Sequence, residues 1–265
     1  MSRDKSLPEK IYRDFEDAGI DLIYYDCTDS TNRRAREHAA YGEVHRPVLF
    51  VADSQTEGRG RLGRSFYSPD STGLYMTLLM KAPEGRAFAL LTSVAAVVSR
   101  RIISRMTGVD TRIKWVNDLY FDGRKVAGIL AESFSGGDER YVALGLGINL
   151  TTAVFPEEIS DVAGALMSGR DGSPEELFAD RLAMAFLISK ELIKAMTETD
   201  LSAYMNEYRE ASCVIGREIE FTENGRVFCG RALDINSDGS LKVLTDSGER
   251  TLAGGEISLK VKDKR

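Results

Sequence analysis

The sequence predicts an α+β protein: one large layered domain followed by a small β-barrel. Three observations predict it. Apolar runs of strand length alternate with stretches of helical period along most of the chain. Asp122-Gly123 lies between two strand-forming runs, and this dipeptide suits a tight hairpin turn because both positions need positive φ. From Gly216 onward the turn pairs Asn224-Gly225, Asp238-Gly239 and Ser247-Gly248 cut the chain into short β pieces, the pattern of a small meandering barrel. With 265 residues, 43% of them hydrophobic, the chain is long enough to bury a sizeable core. The expected division is a short helical segment over 1–20, the large domain over 21–210 and the barrel over 211–265.

Residues 7–20 read as a short amphipathic helix, with Ile11, Phe15 and Ala18 at helical spacing and Gly19 as its stop. A strand over 22–25 follows, and Asp29-Ser30-Thr31-Asn32 then precedes the helix-forming stretch 33–37. Residues 48–52 form an apolar strand, 57–65 a glycine- and arginine-rich loop, 73–80 another strand, and 88–103 a helix. The runs 113–120 and 125–134 flank Asp122-Gly123 as an antiparallel pair, and 141–150 is a further strand. Ser173-Pro174-Glu175-Glu176 opens the longest helix, to about Met196, with Ser173 as cap, proline in the first turn and Glu176 completing a capping box.

The net charge of −6 argues against a general affinity for nucleic acid, so any positive site is local. Cys27, Cys213 and Cys229 form no CxxC pair and have no histidine cluster nearby, which indicates neither a disulfide framework nor a zinc site. The charged N-terminus lacks an apolar run for a signal peptide or membrane span. The expectation is a soluble, cytoplasmic protein.

Gly58-Arg59-Gly60-Arg61-Leu62-Gly63-Arg64 places three arginines among three glycines directly after a strand. Glycine lets backbone N–H groups converge on an anion, and guanidinium groups offer planar forks for phosphate or carboxylate. Gly58, Gly60 and Gly63 also fit the dinucleotide G-x-G-x-x-G spacing, but Ser65-Phe66-Tyr67-Ser68-Pro69 is a poor helix start, so the dinucleotide reading is rejected. A flexible, solvated basic loop has the same composition. In the hairpin, a two-residue turn sets Tyr120 opposite Lys125, Asp118 opposite Ala127 and Asn117 opposite Gly128. Lys114, Asp118 and Lys125 then share one face, and Trp115 and Asn117 the other. Such a face suits an electrostatic site, although a lysine such as Lys125, taken by itself, is more often a solvated turn lysine on an edge hairpin. In residues 144–150, Gly145, Gly147 and Asn149 alternate with apolar residues, leaving a bare backbone shelf that a flat ligand could approach; a bulge is the alternative.

Taken in order, Ser30-Thr31-Asn32, Gln55, residues 58–64, Lys114-Trp115-Val116-Asn117-Asp118, the Lys-Val-Ala-Gly-Ile-Leu run of 125–130 and residues 145–149 resemble the catalytic domain of biotin–protein ligases. The β-rich end resembles the SH3-like barrel that follows it. The resemblance implies a mixed sheet flanked by helices, related to class II aminoacyl-tRNA synthetases. It also implies ATP and biotin as substrates, Mg²⁺ on the phosphates, and a biotin carboxyl carrier protein as acceptor.

Carried over by motif, the implied biotin site comprises Ser30, Thr31, Asn32, Gln55, Gly58, Arg59, Gly60, Arg61, Lys125, Gly128, Leu130, Gly145 and Gly147. Ser30 or Thr31 would also serve as a plain helix cap. The implied nucleotide side comprises Arg61, Arg64, Phe66, Asn117, Asp118, Lys125 and Asn149, with Asp118 toward the metal. Lys125, Arg59 and Arg61 would carry the chemistry. Hydroxyls and amides around a ureido ring would reject lipoate, since each unpaired buried partner costs about 1–3 kcal/mol.

Two departures stand out: Phe66 replaces the family's usual tryptophan, and Val116 its usual proline, which is expected to loosen that strand. The N-terminus leaves no room for a winged helix-turn-helix, so a ligase without operator binding is expected. A homodimer through a sheet edge is left open. The rival readings are a lipoate ligase, a non-catalytic biotin or nucleotide sensor, and a DNA-binding regulator.

Overall fold

The computed structural model describes residues 7–42, 44–136, 139–168, 173–223, 225–255 and 257–259. Asn224, half of one expected turn, lies outside them. The opening amphipathic run forms α1 (Glu9–Asp17), which buries Phe15, and leads into β1 (Asp21–Thr28). Then come α2 (Thr31–Ala40), β2 (Val48–Gln55), β3 (Gly73–Lys81), a short α3 (Gly85–Ala89) and α4 (Leu91–Thr107). The strands β4 (Arg112–Lys114), β5 (Asp118–Phe121), β6 (Arg124–Gly136) and β7 (Glu139–Asn149) follow one another as hairpins.

These seven strands make one sheet in the order β1-β2-β3-β7-β6-β5-β4. β1 and β2 are parallel because α2 crosses between them, and every other pair is antiparallel, so the sheet is mixed. Alternation along β3 sends Leu74, Met76, Leu78 and Met80 into the main core under α4 and α5 (Pro174–Met196). Leu79 faces the other way, into a second cluster with Phe50, Tyr141 and Ala143 beneath Ala35 and Ala39 of α2. α5 starts with the expected capping box: Ser173 Oγ accepts from Glu176 N at 3.2 Å, and Glu176 Oε2 accepts from Ser173 N at 3.0 Å.

α6 (Ser202–Glu210) was not legible beforehand. Its composition is polar, and only the burial of Tyr204, Met205 and Tyr208 against the core makes it a helix.

The hairpin register is corrected in part. Asp122 (φ 48°) and Gly123 (φ 73°) are the turn residues, and Tyr120 pairs with Lys125. A bulge after Leu119 then shifts the ladder, so Asp118 pairs with Gly128 rather than Ala127, and Asn117 lies beyond the paired residues. Asn117 instead donates from Nδ2 to Ile129 O at 2.5 Å, while Ile129 N donates to Asn117 O at 3.0 Å. At the adjacent departure the Trp115–Val116 peptide is cis. This segment is pinned from outside, by Tyr208 Oη donating to Val116 O at 2.8 Å and by the Trp115 indole N–H donating to Gly239 O at 2.9 Å.

The terminal unit holds β8 (Glu218–Glu223), β9 (Arg226–Ile235), β10 (Leu241–Thr245), β11 (Gly248–Leu252) and β12 (Ile257–Leu259), antiparallel in the order β11-β10-β9-β8-β12. This is the SH3-like sheet. The Asp238-Gly239 turn is wider than a two-residue one: β9 and β10 pair last at Ile235 and Leu241, and the loop between them reaches across to present Gly239 O to Trp115. Among the described residues no helix is long and apolar enough to cross a membrane.

One buried ion pair ties α5 to the sheet. Arg181 Nη2 lies 2.8 Å from Asp53 Oδ1, with each side chain only 7% exposed. Removing one partner strands a charge, so Asp53→Ala is expected to cost about 3–5 kcal/mol. Urea unfolding checks this, and adding Arg181→Met is expected to restore much of the loss. A single-mutant cost below about 1 kcal/mol would assign the anchoring elsewhere.

Candidate active site

The site forms where α2 runs out. On the α2 side of β7, Tyr141 and Ala143 lie under the helix, and the next two residues of that face are Gly145 and Gly147. Their register partners are Thr77 and Tyr75 on β3, and Leu130 and Gly128 on β6. With no side chains on these glycines the sheet surface drops, and a cleft of about 420 Å³ opens above it, within the usual size of small-molecule sites.

The cleft brings together residues distant in sequence. Ser30, Thr31, Asn32 and Gln55 wall one end, Arg59, Gly60, Arg61, Arg64 and Phe66 roof it, and Asn117, Asp118, Lys125 and Asn149 line the other end, with Gly128, Leu130, Gly145 and Gly147 beneath. Gly58 does not line it. It sits at the neck of the loop, where a Cβ would come within 2.3 Å of Phe66 O and 2.6 Å of Ser68 Oγ, so its role is closing the loop.

The shelf is also used differently from expectation. A Cβ on Gly145 would lie 2.1 Å from Asn32 Oδ1, and one on Gly147 would lie 2.4 Å from the Phe66 ring. The glycines first make room for the protein's own side chains.

At the hydroxyl-rich end, Ser30 occupies the N-cap position of α2, but its side chain makes no capping bond. Its backbone N–H is taken by Asp29 Oδ1 at 2.6 Å. Asp29 also receives Arg34 Nε at 2.9 Å. Burial alone would raise the Asp29 carboxyl, but the Arg34 guanidinium and the Ser30 N–H outweigh it and hold the group at about 2. A depressed carboxylate stabilises the fold above its unfolded value, about 3.9, and that contribution is lost as pH falls from there through about 2. Asp29→Asn is therefore expected to melt lower than wild type at neutral pH, with the gap closing below about pH 4; a gap constant down to pH ~2 would contradict this.

The loop is structured. Gly60 N donates to Arg64 O at 2.7 Å, and Phe66 N to Gly58 O at 2.8 Å, while Leu62 takes φ 55° at an exposed tip. Arg61 Nη1 donates to Asn117 Oδ1 at 3.2 Å, which holds the roof onto the hairpin.

Beneath this roof Lys125 Nζ pairs with Asp118 Oδ1 at 2.7 Å. Lys114 Nζ donates to Tyr120 Oη at 3.3 Å, and burial together with the Asp118 charge pushes that phenol up to about 12, so it stays neutral. Among the described residues five cations (Arg59, Arg61, Arg64, Lys114 and Lys125) and one carboxylate (Asp118) line the cleft. Within a chain of net charge −6, that is a locally cationic site, of the sign that attracts anions. Asn149 Nδ2 donates to Gly164 O at 3.0 Å, while its buried Oδ1 has no partner among the described residues and is free to accept from a ligand.

Several lining residues were missed. Phe155, Ile159, Val162 and Ala163 come from a segment with no strand or long-helix pattern, placed because Lys125 N donates to Val162 O at 2.8 Å and Gly164 N to Lys125 O at 2.9 Å. Ile257 and Ser258 come from β12 of the terminal sheet, a long-range approach that no local signal announces.

Comparison with known proteins separates the rival acids. Residues 24–149 match the biotin/lipoate A/B protein ligase family, which leaves both open. Residues 214–260 match the biotin protein ligase C-terminal domain. The bifunctional ligase/repressor BirA of Bacillus subtilis is 31% identical, over 91% of this chain and 74% of its own length. The chain belongs to the biotin–protein ligase family. A biotin–[acetyl-CoA-carboxylase] ligase of Mycobacterium tuberculosis is 29% identical over 88% of this chain and 87% of its own. Among solved structures, the biotin protein ligase of Aquifex aeolicus in complex with biotin and ATP superposes with a TM-score of 0.73 at 29% identity, covering 90% of this chain and 98% of that one. Membership in this ligase family makes the chain an enzyme, and the mixed sheet followed by an SH3-like unit is the architecture it shares with these ligases.

Proposed function

We propose that this cleft joins biotin to ATP as biotinyl-5′-AMP, releasing pyrophosphate, and then passes the biotinyl group to a lysine of a biotin carboxyl carrier protein. The observation that carries this reading is the cleft's polarity: neutral hydrogen-bonding groups from Ser30 to Gln55, with Arg59 beside them through Glu132, and Arg61 and Lys125 held against Asn117 and Asp118 away from them. A neutral ureido ring fits the first, and carboxylate and phosphates the second.

In this reading Thr31, Asn32 and Gln55 meet the ureido ring, Ser30 and Leu130 flank it, and the glycine floor lets the flat bicycle lie close. Arg59, Gly60 and Arg61 hold the reacting carboxyl and α-phosphate, and Lys125 stabilises the charge that develops as the carboxylate attacks phosphorus in line. Arg64 and Lys114 draw the departing phosphates. Asn117 and Asn149 serve the nucleotide, and Phe66 lies along it. A magnesium ion arriving with ATP needs few protein ligands, which suits Asp118 as the single carboxylate. For transfer, the acceptor amine attacks the mixed anhydride; positioning it is the main requirement, and no covalent enzyme intermediate is involved.

The proposed division has residues 21–210 performing catalysis and 211–265 adding a wall through β12. The proposed setting is the cytoplasm. The acidic chain is expected not to retard DNA in a gel shift at moderate salt, and gel filtration at two concentrations reads whether copies pair through the β1 edge of the sheet. ATP–pyrophosphate exchange tests the central reading: biotin is expected to support it and lipoate not. Exchange with lipoate alone would assign the cleft to the other acid, and exchange with neither would assign the chain a sensor role.

A further inference from the structure

A single hydrogen-bond chain runs through the back wall of the cleft and touches the glycine–arginine loop at both ends. It begins at Arg59, whose Nη1 lies 3.3 Å from Glu132 Oε1. Glu132 Oε2 accepts from Asn32 Nδ2 at 2.9 Å. Asn32 Oδ1 in turn receives Thr77 Oγ1 at 2.6 Å, and Thr77 Oγ1 is 2.8 Å from Thr31 Oγ1. With its hydrogen on Asn32, Thr77 Oγ1 accepts from Thr31 Oγ1; the Thr31 backbone N–H donates to Gln55 Oε1 at 2.9 Å, Gln55 Nε2 donates to Ser68 Oγ at 3.0 Å, and Ser68 Oγ donates to Phe66 O at 3.0 Å. The interior of this chain is buried: Thr77, Thr31, Asn32 and Ser68 all have little exposure.

Glu132 touches both Arg59 of the loop and Asn32 of the pocket, and it does not itself line the cleft. An ionised carboxylate only accepts, so it fixes which end of the Asn32 amide faces it: nitrogen toward Glu132, oxygen toward Thr77. An amide oxygen also only accepts, so Thr77 must spend its hydrogen on Asn32. Thr31 must then give its hydroxyl hydrogen to Thr77, so the donor–acceptor order from Asn32 to Thr31 follows, while Gln55 Oε1 is fixed by the Thr31 backbone N–H. Without the carboxylate, Asn32 can turn over, Thr77 can donate to Thr31 instead, and the wall presents mixed polarity to its ligand. The same carboxylate holds the Arg59 side chain down beside the pocket.

We infer that Glu132 is a positioning residue that sets the hydrogen-bond polarity of the vitamin pocket and anchors the first arginine of the loop over it. The loop-anchoring half stands on geometry alone; the polarity half rests on the biotin reading given above.

The test uses the full chain with Glu132→Gln and Glu132→Ala. Glutamine keeps an acceptor and the side-chain volume but loses the charge; alanine removes both. Three readings are taken on each protein: trypsin cleavage within residues 58–64 without ligand, calorimetric binding of biotin, and melting temperature. Both variants are expected to be cut in the loop at least ~5-fold faster than wild type, since a solvated arginine segment is the easier substrate. Biotin affinity is expected to fall ~10-fold in the glutamine variant and further in the alanine variant, with melting of the glutamine variant close to wild type. A merely structural glutamate would instead lower melting and leave affinity per folded molecule unchanged. Equal cleavage and equal affinity in wild type and Glu132→Gln would overturn the inference. Faster cleavage in variants of a protein that binds no biotin at all would keep the anchor and overturn the biotin reading and, with it, the polarity role.

Discussion

Lys125→Ala is expected to lower biotin-dependent pyrophosphate release by about 10²–10³-fold while leaving the fold intact. The side chain sits at the cleft, its ammonium 2.7 Å from Asp118 and its stem over Gly128, so its loss creates no core cavity. What it removes is the cation proposed to stabilise the reacting oxygens. It also leaves Asp118 uncompensated beside incoming phosphates, which adds repulsion to lost attraction. Because that charge develops during reaction, the fall is expected mainly in kcat, with the KM for biotin moving less. Adding Asp118→Asn is expected to recover part of the loss if the uncovered carboxylate is half of the problem. A single-mutant effect below about 10-fold would remove Lys125 from the chemistry.

The second large effect is expected at Gly145. Alanine there would place Cβ 2.1 Å from Asn32 Oδ1, far inside contact distance. Asn32 cannot yield easily, because it is buried in the first turn of α2 and its amide is held on both sides, by Glu132 and by Thr77. Moving it breaks two hydrogen bonds and strands their buried partners, at about 1–3 kcal/mol each. Gly145→Ala is therefore expected to weaken biotin binding by ~100-fold and to lower the melting temperature by several degrees. Gly147→Ala is the internal control. Its Cβ would meet the Phe66 ring at 2.4 Å, but Phe66 lies on the loop and can swing away, so a stability cost under ~1 kcal/mol is expected. Equal stability costs at the two glycines would contradict the rigid and yielding neighbours assigned to them.

These two glycines show where sequence reasoning reached and where it stopped. Alternation in residues 144–150 exposed a bare face beside the proposed site, because strand period is local and readable. What fills that face was not readable: the Asn32 amide and the Phe66 ring arrive from more than seventy residues away. The hairpin shows the same boundary. Its turn and first pair follow from Asp122-Gly123, whereas the bulge after Leu119 arises from the ladder to β6 and carries no compositional mark. Glu132 and Thr77 went unnoticed because one reads as an ordinary strand glutamate and the other as a buried threonine; only their shared partner, Asn32, gives them meaning. The contribution of β12 was invisible for a similar reason, since a short terminal strand gives no hint of the cleft it borders.

The most direct single measurement is the intact mass of a biotin carboxyl carrier domain after incubation with this protein, ATP, Mg²⁺ and biotin. The expected result is one added biotinyl group on one lysine, dependent on ATP and lost with Lys125→Ala. An unmodified carrier, or modification equally strong with the Lys125→Ala protein, would contradict the assignment of this cleft as the place where biotin is activated and handed on.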